Sequence, residues 1–208
     1  MGCGASSPPK ELAALASAEF ACVFSTPIVA PVTGTVEVVK TGKSTASMQD
    51  TGGNILLNIS VGGNKDNDTL FIEPATGNTV VMVCLTEMGN LFTKKSTKWA
   101  VWTSTAVDGG ALETTPNGKS MYKLGSFTMS PSGGPLEYFD AQGTKVLSGK
   151  IKSYSTAVVH GPDGASPAAV VEGMAMPHFY LKGKCSFAKG VDPVIAFAMA
   201  SASLTLAG

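Results

Sequence analysis

The feature that most constrains the fold is an uncharged apolar segment late in the chain. Asp192 and Pro193 form a helix-start signal, because an aspartate caps a first turn and proline fits the first helical position. Beyond them large apolar residues and alanines leave no polar face, as in helices that lie in a core or a bilayer. Residues 193–207 span about 22 Å, less than the roughly 30 Å of a bilayer core. We therefore expect a helix enclosed by the rest of the protein; a tail anchor or a buried strand pair are the alternatives.

After Phe20 the chain reads as short β segments joined by glycine turns. The segments are rich in β-branched and aromatic residues, and turns such as Asp50–Asn54 and Asp140–Gly143 precede several of them. The predicted strands are Asn54–Val61, Thr69–Ile72, Thr79–Thr86, Lys98–Thr103, Met121–Met129, Lys145–Ser153, Thr156–His160, Ala168–Glu172 and His178–Phe187. The pattern indicates one large, mainly β domain over residues 21–208.

Composition excludes two classes of protein. Of the 208 residues, 44% are hydrophobic and only 14% are charged, which is typical of a packed core and not of a disordered chain. The chain has no arginine, and its formal net charge is zero. Because nucleic-acid binding needs a positive face and favours arginine, we expect no nucleic-acid partner.

Residues that could carry catalysis or hold a metal show no pattern of a known site. Nucleophile elbows, zinc-binding motifs and phosphate-cradling loops are absent from the sequence, so we expect no enzyme activity, no cofactor and no metal. The aspartate–glycine pairs at 108–109 and 163–164 indicate turns, since further carboxylates at calcium-loop offsets are missing. We expect reduced thiols at Cys3, Cys22, Cys84 and Cys185, and surface or core roles for His160 and His178.

The amino terminus carries a possible lipidation signal. The sequence Met1 to Ser6 fits the N-myristoylation pattern, which requires Gly2 at the new terminus after methionine removal. One myristoyl chain binds membranes only marginally, so a second acyl chain on Cys3 would make residence stable. Residues 1–20 then form a flexible lipidated terminus with a short helix over Glu11–Phe20. We expect this helix to dock against the rim of the β domain, because it lacks the lysine-rich polar face of interfacial membrane helices, which are the alternative. The alternative for the motif is a chance match.

Several passages together resemble a known family. They are Val36–Lys40, Gln49–Leu57, Thr69–Val83, Leu91–Trp102 and Lys182–Phe197, the last leading from a strand through Gly190-Val191-Asp192 into the apolar helix. In this order they resemble the tubby C-terminal-like superfamily, and within it the LURP-one-related branch. The resemblance covers roughly Thr35 to Gly208.

The resemblance implies a fold and a direction for function. In that superfamily a closed antiparallel β-barrel of about twelve strands encloses a hydrophobic C-terminal helix. Related branches bind phosphoinositide headgroups or act at membranes, and no catalytic chemistry is implied. The chain departs from the pattern by lacking arginine and by carrying extra glycine-rich loops at Val107–Gly118 and Pro131–Pro135.

The densest basic cluster is Lys94, Lys95 and Lys98, just before Trp99 and Trp102. Ammonium groups can hold an anionic headgroup, and an indole suits a membrane interface, so these lysines are candidate lipid contacts. The alternative is a solvated loop with the tryptophans packed in the barrel wall. A second, weaker cluster comprises Lys182, Lys184 and Lys189.

Three hypotheses follow. The first is a non-enzymatic, lipid-anchored barrel at the cytoplasmic face of a membrane, binding anionic lipid or a protein partner. The second is a soluble cytosolic interaction or stress-related protein with no lipid anchor. The third is an enzyme that uses a pocket at a barrel mouth.

Overall fold

Thirteen antiparallel strands and two helices make up the described chain in this computed structural model, which describes residues 10–15, 18, 34–62, 68–90, 92–131, 134–153, 155–174 and 181–205. The elements are α1 (Lys10–Leu15), β1 (Gly34–Lys40), β2 (Thr45–Gln49), β3 (Ile55–Val61), β4 (Asp68–Ile72), β5 (Thr79–Glu87), β6 (Thr97–Thr103), β7 (Leu112–Thr114), β8 (Ser120–Met129), β9 (Leu136–Asp140), β10 (Lys145–Ser153), β11 (Thr156–His160), β12 (Pro167–Glu172), β13 (Gly183–Phe187) and α2 (Pro193–Thr205).

Twelve of the strands close into a barrel. Consecutive strands pair from β1 to β6 and from β8 to β13, β1 pairs with β13, and β6 pairs with β8 to complete the ring. The short β7 adds to the edge of β8 outside this ring, because Tyr122 of β8 pairs with Thr103 of β6 on one side and Leu112 of β7 on the other. Closure leaves no exposed edge among the twelve strands, which protects the sheet from edge-to-edge association.

The antiparallel order sends the connections alternately to two ends of the barrel. The connections that follow β1, β3, β5, β8, β10 and β12 lie at one end, which we call the upper end. The connections that follow β2, β4, β6, β9, β11 and β13 lie at the other, the lower end. Helix α2 begins at the lower end, directly after β13.

Helix α2 fills the barrel and is the centre of its core. Every residue from Val194 to Ala202 is buried, and the helix packs against β9 through β13. The Asp192 carboxylate caps its first turn by accepting hydrogen bonds from the backbone of Val194 at 2.8 Å and of Ile195 at 3.4 Å. A Cβ on Gly183 would lie 3.1 Å from the Phe197 ring, so this strand position has little room for a side chain.

Strands β11 and β12 are buried on both faces. Because successive side chains of a strand point to opposite faces, their fully buried runs Ala157–Val159 and Ala168–Val171 need cover on each side. Both α2 and α1 contact β12, which accounts for cover on both of its faces. Helix α1 buries Leu15 and docks on the β domain through contacts with β12 and β13.

The mainly β class, the closed barrel and the central helix are confirmed. Three strands escaped the sequence analysis or were only partly seen: β2, β7 and β9. The segment Val107–Gly118 was predicted as a loop, and this was wrong for Leu112–Thr114, which pair with β8. Of the predicted helix Glu11–Phe20, residues 11–15 are helical as part of α1, and residues 16, 17, 19 and 20 lie outside the described residues. The predicted end of the last helix at Ala207 also lies outside them, and the described part of α2 ends at Thr205. No helix of the described chain is long and apolar enough to cross a membrane.

A matched pair of phenylalanine substitutions tests the burial of α2. Phe197 is fully buried, whereas Phe92 is 96% exposed. We expect Phe197→Ala to lower the free energy of unfolding by about 3–5 kcal/mol, because it leaves a cavity in the core. Phe92→Ala should change it by less than about 0.5 kcal/mol. Urea unfolding followed by tryptophan fluorescence measures both; equal midpoints for the two variants would contradict a buried central helix.

Candidate functional site

The three lysines predicted as lipid contacts share one hairpin loop at the upper end. Lys94 and Lys95 lie in the connection between β5 and β6, and Lys98 is the second residue of β6. All three are exposed. The Lys98 ammonium lies 3.2 Å from the Glu87 carboxylate, whereas neither Lys94 nor Lys95 forms an ion pair with any residue that the structure describes. Two positive charges are therefore left open to an external anion.

This loop is held in shape by its own hydrogen bonds. Asn90 and Lys95 exchange two backbone hydrogen bonds, of 3.0 and 3.1 Å. The Asn90 side-chain oxygen also accepts hydrogen bonds from the backbone of Phe92 at 2.8 Å and of Thr93 at 3.2 Å, an Asx-type turn. Such bonds lower the conformational freedom that a binding partner would otherwise have to remove.

Gly89 joins the loop closely to the barrel. Its backbone N–H donates to the Thr97 hydroxyl at 2.9 Å, and a Cβ at this position would lie 2.4 Å from the same oxygen. A larger residue would push the loop away from β6. The sequence therefore requires glycine here for the close approach of two backbones.

The loop also exposes two large apolar side chains, which the sequence analysis missed. Phe92 is 96% exposed and Met88 is 65% exposed. For Phe92 the available signal was an apolar residue inside a turn sequence, Gly89-Asn90-Leu91-Phe92. A single exposed apolar residue is ordinary on a protein surface, but these two share a loop with the charges of Lys94 and Lys95, which are unpaired among the described residues.

The two tryptophans next to the lysines are buried in the barrel wall. Trp99 is 5% exposed and belongs to the main core. Trp102 is 4% exposed, belongs to a separate cluster, and donates its indole N–H to the Glu113 carboxylate at 3.1 Å. The indoles are therefore wall residues, and Phe92 is the aromatic residue that the loop presents to solvent.

The weaker basic cluster is split by the fold. Lys182 and Lys184 are exposed at the upper end, but Lys189 lies at the lower end, after β13. These three lysines therefore cannot form one site.

An open groove of about 510 Å³ with a mixed polar and apolar lining lies along β9, β10 and β11. Glu137, Lys145, Ser148, Lys150 and His160 line it, and the Lys145 ammonium lies 3.4 Å from Glu137. Burial lowers the pKa of His160.

Inside the barrel, Tyr138 and Cys185 are held neutral. The Tyr138 hydroxyl donates to the backbone oxygen of Leu124 at 3.0 Å. Burial, with the nearby charges of Asp192 and Asp140, raises the pKa of Tyr138 well above its usual value. Burial and Asp192 likewise raise the pKa of the Cys185 thiol, which makes it a poor nucleophile. Cys84 is also a buried thiol, and it donates a hydrogen bond to the backbone oxygen of Leu85 at 3.6 Å.

The aspartate–glycine sequences form turns. Asp163 accepts hydrogen bonds from the backbone of Ala165 and Ser166, both at 3.0 Å, and its hydrogen bonds lower its pKa to about 2. No cluster of metal-ligating side chains occurs in the part of the chain that the structure covers. Four residues of interest, Gly2, Cys3, Cys22 and His178, lie outside the described residues.

Comparison with known proteins supports the fold and nothing finer. No family model matches the chain, and no curated protein sequence matches it. The X-ray structure of the Arabidopsis thaliana protein AT5G01750 is similar at a TM-score of 0.52 and 15% sequence identity, covering 86% of this chain and 96% of that one. At this identity the similarity shows a common barrel fold alone.

The buried phenol gives a prediction on pH dependence. The raised pKa belongs to the folded state, so the contribution of Tyr138 to stability is full below the ordinary value of 10.0 and is lost at higher pH. We expect wild type to lose stability above about pH 10 more steeply than Tyr138→Phe, by up to about 1.4 kcal/mol per pH unit. Urea midpoints measured from about pH 8 to 11 test this. Parallel pH profiles for the two proteins would contradict it.

Proposed function

We infer that this protein is a non-enzymatic barrel that binds anionic lipid at the cytoplasmic face of a membrane, held there by acylation of Gly2 and Cys3. The observation that carries the proposal is the β5–β6 loop. It is ordered by its own hydrogen bonds and presents the Lys94 and Lys95 ammonium groups without internal ion pairs among the described residues.

The two ammonium groups of the loop fit a strongly negative surface whose headgroups have no single fixed arrangement. Lysine is a flexible point charge and lacks the planar fork with which arginine recognises one phosphate in a fixed geometry. A chain with no arginine is therefore suited to a surface of many anionic headgroups. Each lysine near such a surface contributes about 1 kcal/mol.

The assignment to the LURP-one-related branch is part of the same proposal. It is supported by the order of motifs from Val36 to Phe197, together with a barrel that encloses its last helix. A phosphoinositide is the headgroup that the resemblance to tubby domains favours.

Acylation is tested by intact mass and fractionation. We expect the protein purified from eukaryotic cells to carry a myristoyl adduct that Gly2→Ala abolishes, and the variant to move to the soluble fraction. Cys3→Ser should weaken membrane residence while leaving the myristoyl adduct in place, because one acyl chain binds only marginally. Equal partition of wild type and Gly2→Ala would favour the soluble interaction protein.

Lipid binding is tested with unacylated protein and vesicles containing about 30% phosphatidylserine. We expect Lys94→Gln combined with Lys95→Gln to weaken binding roughly thirtyfold, the equivalent of about 2 kcal/mol. The control combines Lys123→Gln with Lys189→Gln, which removes the same charge away from the upper end and should bind like wild type. Unchanged binding by the first pair would remove this loop as the lipid site.

A further inference from the structure

Charge is divided unequally between the two ends of the barrel. Each end comprises the described residues of its connections and the two strand residues on either side of each connection, without helix α1. The upper end holds eight lysines and three carboxylates: Lys40, Lys43, Lys94, Lys95, Lys98, Lys152, Lys182 and Lys184, with Asp68, Glu87 and Glu172. The lower end holds two lysines and seven carboxylates: Lys119 and Lys189, with Asp50, Glu73, Asp108, Glu113, Asp140, Asp163 and Asp192. Lys145 and Glu137 lie within these limits but form an ion pair of 3.4 Å between the ends, so they belong to neither.

Although the net charge of the chain is zero, its positive upper end and negative lower end form an electric dipole along the barrel. A neutral molecule of this kind gains nothing from a negative surface unless it is oriented. With its upper end towards the surface it is attracted, and with its lower end it is repelled. The charge distribution can therefore orient the barrel on a negative surface, even though the net charge alone gives no attraction to it.

The most exposed apolar residue lies at the same end. Phe92 stands on the β5–β6 loop, with Met88 at the base of that loop and Val39 exposed at the end of β1. The backbone of the loop is fixed by the Asn90 turn, so Phe92 is displayed in a defined position. Aromatic side chains flanked by lysines are suited to the boundary between headgroups and acyl chains.

The amino-terminal segment also starts near the upper end. Glu11 of α1 forms an ion pair of 2.7 Å with Lys152, the penultimate residue of β10 at that end. The residues between Gly2 and Lys10 can reach at most about 27 Å when extended. An acyl chain on Gly2 and the upper end of the barrel can therefore meet the same bilayer.

We propose that the upper end is the membrane-facing surface, with Phe92 inserted between the headgroups of an anionic bilayer and the lysines around it contacting those headgroups. This rests on the proposed lipid binding and adds an orientation and an apolar contact to it. The barrel's lower end, with its acidic turns, faces away from the bilayer.

Insertion can be measured with a new tryptophan. Both native tryptophans are buried in the wall, so an added indole at Phe92→Trp reports on its own position. The matched control is Leu112→Trp, which replaces a 61% exposed residue at the lower end. With vesicles of phosphatidylcholine and about 30% phosphatidylserine, brominated in the acyl chains, we expect Phe92→Trp emission to shift to the blue and be quenched. Leu112→Trp emission should do neither.

A second experiment measures the contribution of the apolar contact. We expect Phe92→Ser to bind the same vesicles about tenfold more weakly, as the loss of a partly buried aromatic side chain implies. Leu112→Ser should bind like wild type. Circular dichroism and urea midpoints close to those of wild type would show that the variants are folded.

The outcomes separate the two proposals. If unacylated wild-type protein does not bind anionic vesicles at all, the proposed lipid binding by the barrel fails. If wild type binds but Phe92→Trp is unquenched and Phe92→Ser binds equally well, the oriented insertion proposed here is wrong and the lipid binding stands. Quenching of Leu112→Trp instead of Phe92→Trp would reverse the orientation and overturn the proposal. Equal binding to pure phosphatidylcholine would also overturn it, because the charge asymmetry would then have no part in binding.

Discussion

The burial of an apolar helix inside a closed sheet is the constraint on which this structure depends. The side chains from Val194 to Ala202 are shut off from solvent, and the wall strands that face them point their apolar residues inward. The barrel alone would enclose a void, and the helix alone would expose an apolar surface on every side. Each therefore supplies the cover that the other needs, and neither is a separate folding unit.

Closing the sheet around this helix also decides what the surface can do. The inner faces of the wall strands pack in the core, and β11 and β12 are buried on both faces. The connections between strands are then the positions left for binding residues, which commonly lie in loops on rigid scaffolds. In this protein the connections differ by end, and the β5–β6 loop is the one that combines open charge with an exposed aromatic side chain.

Much of this architecture could be predicted from the sequence, because local signals agreed with the final fold. The cap at Asp192 and the absence of charge after it predicted α2, and the alternating segments between glycine turns predicted most strands. Leu112–Thr114 could not be predicted, since three residues carry no periodic signal and pair only because β8 extends beyond β9. The site was harder still. That Trp99 is buried and Phe92 exposed depends on the register of β6 against β5 and β8, and the division of charge depends on which end each connection occupies.

The pairing of β1 with β13 has a consequence for how the molecule is made. Gly34 lies opposite Phe187, so the ring stays open until the last strand, β13, has left the ribosome, and the helix that fills it follows later still. A nascent chain must hold an unfinished, water-exposed sheet during synthesis, a state in which proteins are prone to aggregate. The high share of contacts between distant residues should make the final closure slow, and the cell's chaperones would meet this protein in its unclosed form.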